Sequence, residues 1–125
     1  MKMKHKFVET IPDSLENNTL YISIRYSIVV HKCACGCGNE IVTPLSPYDW
    51  QLTYNGETIS LYPSIGNWSL PCRSHYWIRE NEIEWAGSWS DEMIRKNREW
   101  DSKNKKEYFR KRKRDRFFRF FKKRR

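Results

Sequence analysis

The sequence predicts a mainly β fold, a small β-rich domain with a metal-stabilised cysteine cluster, followed by a C-terminal α-helix. Three observations carry that reading. Up to residue 86, short runs of β-branched and aromatic residues alternate with Pro, Asn and Gly turn signals. Three cysteines crowd one glycine-containing turn, with a fourth well downstream. After Gly87 neither Gly nor Pro occurs and helix formers dominate.

The elements follow in order. Leu20–Val30 is read as one strand, the longest in the chain. It runs into the thiol-rich turn His31-Lys32-Cys33-Ala34-Cys35-Gly36-Cys37-Gly38, and Glu40–Thr43 returns as a short strand before Pro44. Trp50–Tyr54, Asn55-Gly56 and Glu57–Tyr62 form a hairpin signal, because Asn-Gly suits a type I′ turn. Pro63–Trp68 is read as a loop, and His75–Ile78 and Glu82–Ala86 as two further strands. Ser90 before Asp91-Glu92 is an N-cap with acids in the first helical turn. The domain limits expected are 1–87 for the β-rich part and 88–125 for the helix and basic tail.

At 125 residues the chain has room for one hydrophobic core, which six Trp, seven Tyr and six Phe help to fill. The formal charge of +9 is unevenly placed. Residues 103–125 hold fourteen Lys/Arg and two acids, and the other 102 hold ten Lys/Arg and thirteen acids, so +12 and −3 sum to +9. The mildly acidic globular part therefore has no compositional reason to bind nucleic acid. The basic, Phe-containing tail suits phosphate contact, an anionic surface or an acidic partner. No apolar run approaches the ~20 residues of a membrane span, and the start lacks the apolar segment of a signal peptide. A cytoplasmic location is expected, in which disulfides are disfavoured.

Cys33, Cys35, Cys37 and Cys72 are accordingly candidate ligands of a structural zinc ion. Gly36 and Gly38 let the backbone curl around such an ion. Three ligands from one C-x-C-x-C turn would be crowded, so that either one of the three is free or His31 or His75 replaces one. The same region offers hydrolytic chemistry. A serine nucleophile needs an imidazole within hydrogen-bond reach and backbone donors for the oxyanion. Ser64 with His75 is the preferred pair, and Gly66-Asn67 amides are candidate oxyanion donors. Ser74 is the rival nucleophile, with His31 as its base, since adjacent strand residues Ser74 and His75 point apart. Asp49 and Asn67 are candidates for a third, orienting group. As an inner-shell ligand, His75 could not also serve as a free base.

The ordered set His31–Gly38, Pro44-Leu45, Trp50, Leu61–Trp68, Cys72–Ile78 and Trp85-Ala86 resembles a family of small domains found in bacterial Bub-type operons. These operons also encode E1-like, E2-like and ubiquitin-like proteins. The resemblance covers about residues 10–87 and excludes the tail. It implies a deubiquitinase-like serine peptidase that processes or removes a ubiquitin-like protein at its C-terminus, with that conjugation machinery as partners. Gly66, Asn67, Trp68 and Trp77 are then candidates to line the substrate groove, beside Tyr76. The competing reading is a non-enzymatic zinc-binding adaptor whose basic tail binds nucleic acid or an acidic partner.

Overall fold

Eight strands and one helix form among the described residues. They are β1 (Lys4–Phe7), β2 (Thr19–Ser23), β3 (Ile28–Lys32), β4 (Glu40–Pro44), β5 (Gln51–Tyr54), β6 (Ile59–Gly66), β7 (His75–Arg79), β8 (Glu82–Trp85) and α1 (Asp91–Lys123). The computed structural model describes residues 1–87 and 90–123, the side chains at 109 and 111–123 excepted. It divides into two units, Met1–Ser88 and Trp89–Arg125. The mainly β fold with a C-terminal helix is thus as the sequence predicts. Expectations for the basic tail fall largely on side chains outside the described residues.

In the first unit β1-β2-β3-β4 form one sheet and β5-β6-β7-β8 the other. Only the β1–β2 pairing among these ladders is parallel. The main core draws Leu20, Ile22, Val29 and Ile41 from the first sheet and Ile59, Leu61, Ile65, Tyr76, Ile78 and Ile83 from the second. Alternation along β2 and β3 sends Tyr21 and Val30 the other way, into a smaller cluster with Leu15, Val8 and Ile11. This double burial explains why every residue of β2 is buried. The N-terminal residues stitch the sheets together: the Met3 amide donates to Asn81 O at 2.6 Å and the Ile83 amide to Met1 O at 3.0 Å.

Three local expectations are corrected. The predicted Leu20–Val30 strand is a hairpin, β2 and β3, turning through Ile24–Ser27. The Ser27 amide donates to Ile24 O at 3.2 Å, the Tyr26 amide to Ser23 Oγ at 3.3 Å, and Ser27 takes φ 53°. Ile24 and Tyr26 in this turn are 63% and 53% exposed. At Asn55-Gly56 the left-handed φ falls on Gly56 alone, at +96°, so Asn-Gly is not the central pair of a type I′ turn. That pattern of two positive φ values belongs instead to Glu80 and Asn81, which join β7 to β8. Finally, Pro63–Gly66 is the end of β6, not loop.

In the second unit, Ser90 caps α1 as expected: its Oγ accepts from the Met93 amide at 3.3 Å. Asp91 and Glu92 occupy the first turn. Among the described residues no helix is long and apolar enough to cross a membrane.

Candidate active site and metal centre

The turn between β3 and β4 brings Cys33, Cys35 and Cys37 together with Cys72, which lies ahead of β7. Gly36 and Gly38 hold φ of +88° and +83°, a conformation that side-chain-bearing residues rarely adopt, so the backbone can wind around its own sulfurs. The four Sγ atoms lie within 4.8 Å of one another. Cys33 is 3.4 Å from Cys35 and 3.9 Å from Cys72, and Cys37 is 3.9 Å from Cys72. Tetrahedral thiolate ligation with metal–sulfur bonds of about 2.3 Å requires edges of about 3.8 Å. The quartet therefore fits one metal ion. All four cysteines are unbridged, and the crowding expected of C-x-C-x-C does not exclude any of them.

Thiol acidity shows what such an ion would supply. Cys35 is exposed as a residue, yet desolvation of its sulfur, then the Cys33 thiol, pushes its pKa up to about 12. Asn39 N–H groups, backbone first and then side chain, draw Cys37 down to about 6. Ser74 lowers Cys72. Sulfurs this close cannot all ionise on their own, whereas a bound cation deprotonates coordinating thiols outright.

Ser64 and His75 meet on the second sheet. Their neighbours pair as Leu61↔Ile78 and Ile65↔Tyr76, so β6 takes four residue steps where β7 takes two. Tyr62-Pro63-Ser64 consequently bulges opposite Trp77, and such bulges re-aim side chains. Ser64 Oγ lies 2.8 Å from His75 Nε2. On the other side of the ring His75 Nδ1 lies 2.8 Å from Gly87 O. A carbonyl only accepts, so Nδ1 carries the proton, and in the neutral imidazole Nε2 is left to accept from Ser64. The Ala86 amide also donates to His75 O at 2.9 Å, fixing the backbone of the same residue. A hydroxyl held against an oriented imidazole is the arrangement that serine nucleophiles require.

The sequence matches, over residues 7–86, the family described as bacterial ubiquitination-like system serine protease (BubE). The chain belongs to the BubE family. No curated protein and no solved structure matches it.

Within this BubE domain the remaining candidates are placed as follows. His75 is hydrogen-bonded to Ser64 and is not part of the cysteine cluster. His31 and Ser74 are not brought together. His31 is fully buried, its Nε2 is 2.7 Å from Tyr76 Oη, and its Nδ1 has no hydrogen-bond partner. Burial lowers its pKa to about 4. Ser74 is buried against sulfur, 3.1 Å from Cys33 Sγ. Asn67 is buried as well, its amide donating to Ser74 O at 2.8 Å, so that amide is not available to an oxyanion. Asp49 accepts from Ser46 Oγ at 2.7 Å.

The aromatics divide between site and core. Trp68 stands edge-on to His75, centroids 4.9 Å apart, with Arg73 5.8 Å from its ring. It closes over Gly66, where a Cβ would come within 2.4 Å of Trp68 Nε1. Trp77 follows His75 on the same face of β7, flanked by Tyr62 at 5.9 Å and by the Arg79 guanidinium at 4.5 Å. Tyr76, expected to line the groove, is fully buried because it alternates onto the core face. Sequence reasoning missed the Gly87 carbonyl, a main-chain group that no residue type announces. It also missed Tyr62, whose place depends on the bulge.

Proposed function

We propose that the chain is a serine peptidase acting at the C-terminus of a bacterial ubiquitin-like protein, with Ser64 as nucleophile and His75 as general base. The observation that carries this is the 2.8 Å Ser64–His75 contact with the opposite ring nitrogen held by Gly87 O. The family's place in bacterial ubiquitination-like systems supplies the substrate class.

The chemistry then runs in two stages. Ser64 Oγ attacks the carbonyl carbon of the substrate's terminal residue while His75 Nε2 takes the hydroxyl proton. The proton passes to the leaving amine or alkoxide as that bond breaks. Water, deprotonated by the same nitrogen, hydrolyses the acyl-enzyme and restores Ser64. The Nδ1–H to Gly87 contact keeps the imidazole in the useful tautomer and stabilises the imidazolium. The extended substrate tail lies over Trp68 and Trp77. Cys33, Cys35, Cys37 and Cys72 would hold a zinc ion, and a four-sulfur site, closed to water, would be structural.

The test is cleavage of a ubiquitin-like protein extended past its C-terminal residue, with metal content and folding checked for every variant. Wild type cleaves, while Ser64→Ala and His75→Ala remain folded, metal-loaded and inactive. Wild-type cleavage by Ser64→Ala would overturn the assignment of the nucleophile. A folded, metal-loaded wild type that leaves its own operon's substrate uncut would favour the adaptor reading.

A further inference from the structure

Ser74 and Asn67 are buried polar residues that the cleavage chemistry leaves unused. Ser74 Oγ lies 3.1 Å from Cys33 Sγ and 3.4 Å from Cys72 Sγ, and it accepts from Asn67 Nδ2 at 2.9 Å. Asn67 Nδ2 also lies 3.8 Å from Cys33 Sγ. Burying a hydroxyl and a carboxamide is costly without good partners. A neutral thiol is a poor one, whereas a thiolate accepts strongly. Metal-bound sulfurs would only accept, so Ser74 would donate to sulfur while Asn67 Nδ2 donates to the Ser74 oxygen. The donors then run in one direction, from Asn67 through Ser74 to Cys33.

The same two residues frame the base. Ser74 directly precedes His75, and Asn67 directly follows Gly66, the register partner of His75. The Asn67 amide closes the frame by donating to Ser74 O at 2.8 Å. We infer that Ser74 and Asn67 are positioning residues, a polar latch through which an occupied four-cysteine centre holds His75 against Ser64. This rests on His75 being the base. Outer-shell hydrogen bonds orient metal ligands and raise metal affinity, so the latch works in both directions. Opening it loosens the metal and lets the imidazole drift, which slows the chemical step without removing a substrate contact.

The experiment uses the full chain as wild type, Ser74→Ala and Asn67→Ala. Zinc affinity is read by chelator competition, kcat and KM on the extended ubiquitin-like protein, and the nucleophile by a fluorophosphonate probe. Both variants are expected to lose roughly 10- to 100-fold in zinc affinity. Zinc-saturated, they should lose at least about tenfold in kcat, as slight misplacement of a catalytic group does, with KM held. The probe should still modify Ser64. Unchanged zinc affinity in both variants overturns the inference, as does a fall in kcat matched by an equal rise in KM. Probe attached to Ser74 in wild type overturns it too, since Ser74 would then be the nucleophile. Should Ser74→Ala not fold, Asn67→Ala, which keeps the hydroxyl, carries the same measurements. Zinc affinity is read without substrate. A pair of variants that lose zinc in a chain that never cleaves would sink the peptidase reading and leave the metal half of the latch standing.

Discussion

Ser64 and His75 share a 2.8 Å hydrogen bond because β6 is two residues longer than β7 between the same two rungs of the ladder. A regular ladder would pair the strands one for one, without the extra residues that let Ser64 reach the ring. The bulge is therefore the local device on which the proposed chemistry depends.

Removing either partner should have the same large effect. Ser64→Ala and His75→Ala are each expected to lower kcat by on the order of 10³-fold or more. The double variant should be little worse than either single one, since the two groups act as a unit. Steady-state or single-turnover cleavage measures this, and fully multiplying losses would contradict it.

Asp49 should matter little to cleavage. The His75 Nδ1 proton already has an acceptor in Gly87 O, and Asp49 accepts from Ser46 Oγ. Asp49→Asn should leave kcat within about threefold of wild type, whereas loss of a true orienting carboxylate costs about 10⁴-fold. A loss approaching that size would mean that the carboxylate, not the carbonyl, governs the tautomer.

Gly66→Ala probes the contact between Trp68 and the base. The new methyl would fall 2.4 Å from Trp68 Nε1, so the indole that stands edge-on to His75 must shift to admit it. Cleavage should drop at least about tenfold through the displaced ring, with the cysteine centre unchanged. Full activity with unaltered Trp fluorescence would show that Trp68 has no bearing on the imidazole.

Metal removal should destabilise the β domain, because binding free energy at such a site is folding free energy. Chelation, Cys33→Ser or Cys72→Ser is expected to lower Tm by more than about 10 °C, the equivalent of roughly 2 kcal/mol in a domain of this size. Calorimetry with and without chelator decides it. An indifferent Tm would mean that the four thiols pack without an ion.

Tyr76→Phe should cost about 1–3 kcal/mol. Its hydroxyl is the partner of His31 Nε2 at 2.7 Å and also receives the Ala34 amide at 3.4 Å. Without it both ring nitrogens of the buried His31 lack partners, since Nδ1 has none already. The denaturation midpoint should fall while Ser64 and His75 stay in contact. An unchanged midpoint would show that the buried imidazole needs no hydrogen bond.

Element types were legible where composition and punctuation agreed. The strands at Glu40–Pro44 and Glu82–Trp85 and the Ser90 cap follow from local residue choice. The hairpin at Ile24–Ser27 was not legible, because its turn uses Arg25, Tyr26 and Ser27, none of them a strong turn former, and its stabilising acceptor is a side chain outside the turn's centre. The four cysteines were readable as a candidate metal site, but their spacing did not say whether all four or His31 or His75 would take part. The orienting group of His75 was not, because it is a peptide carbonyl twelve residues away. Nor could spacing choose between Ser64 and Ser74. That choice depends on a register shift between two strands, which is a property of the pairing and not of either segment.

The stitch between Met1–Met3 and Asn81–Ile83 has a further consequence for how the domain is born. A nascent chain emerges from the ribosome in order, and Met1–Met3 find these partners only after some eighty further residues have been made. Until then Met3, buried at 2% exposure in the finished core, has nothing to close against. Closure of the core is thus a late event of synthesis, dominated by one very long loop, and such contacts are slow to form. The half-made domain passes through an interval in which Cys33, Cys35 and Cys37 are already on the nascent chain while β7 and β8 are still being translated.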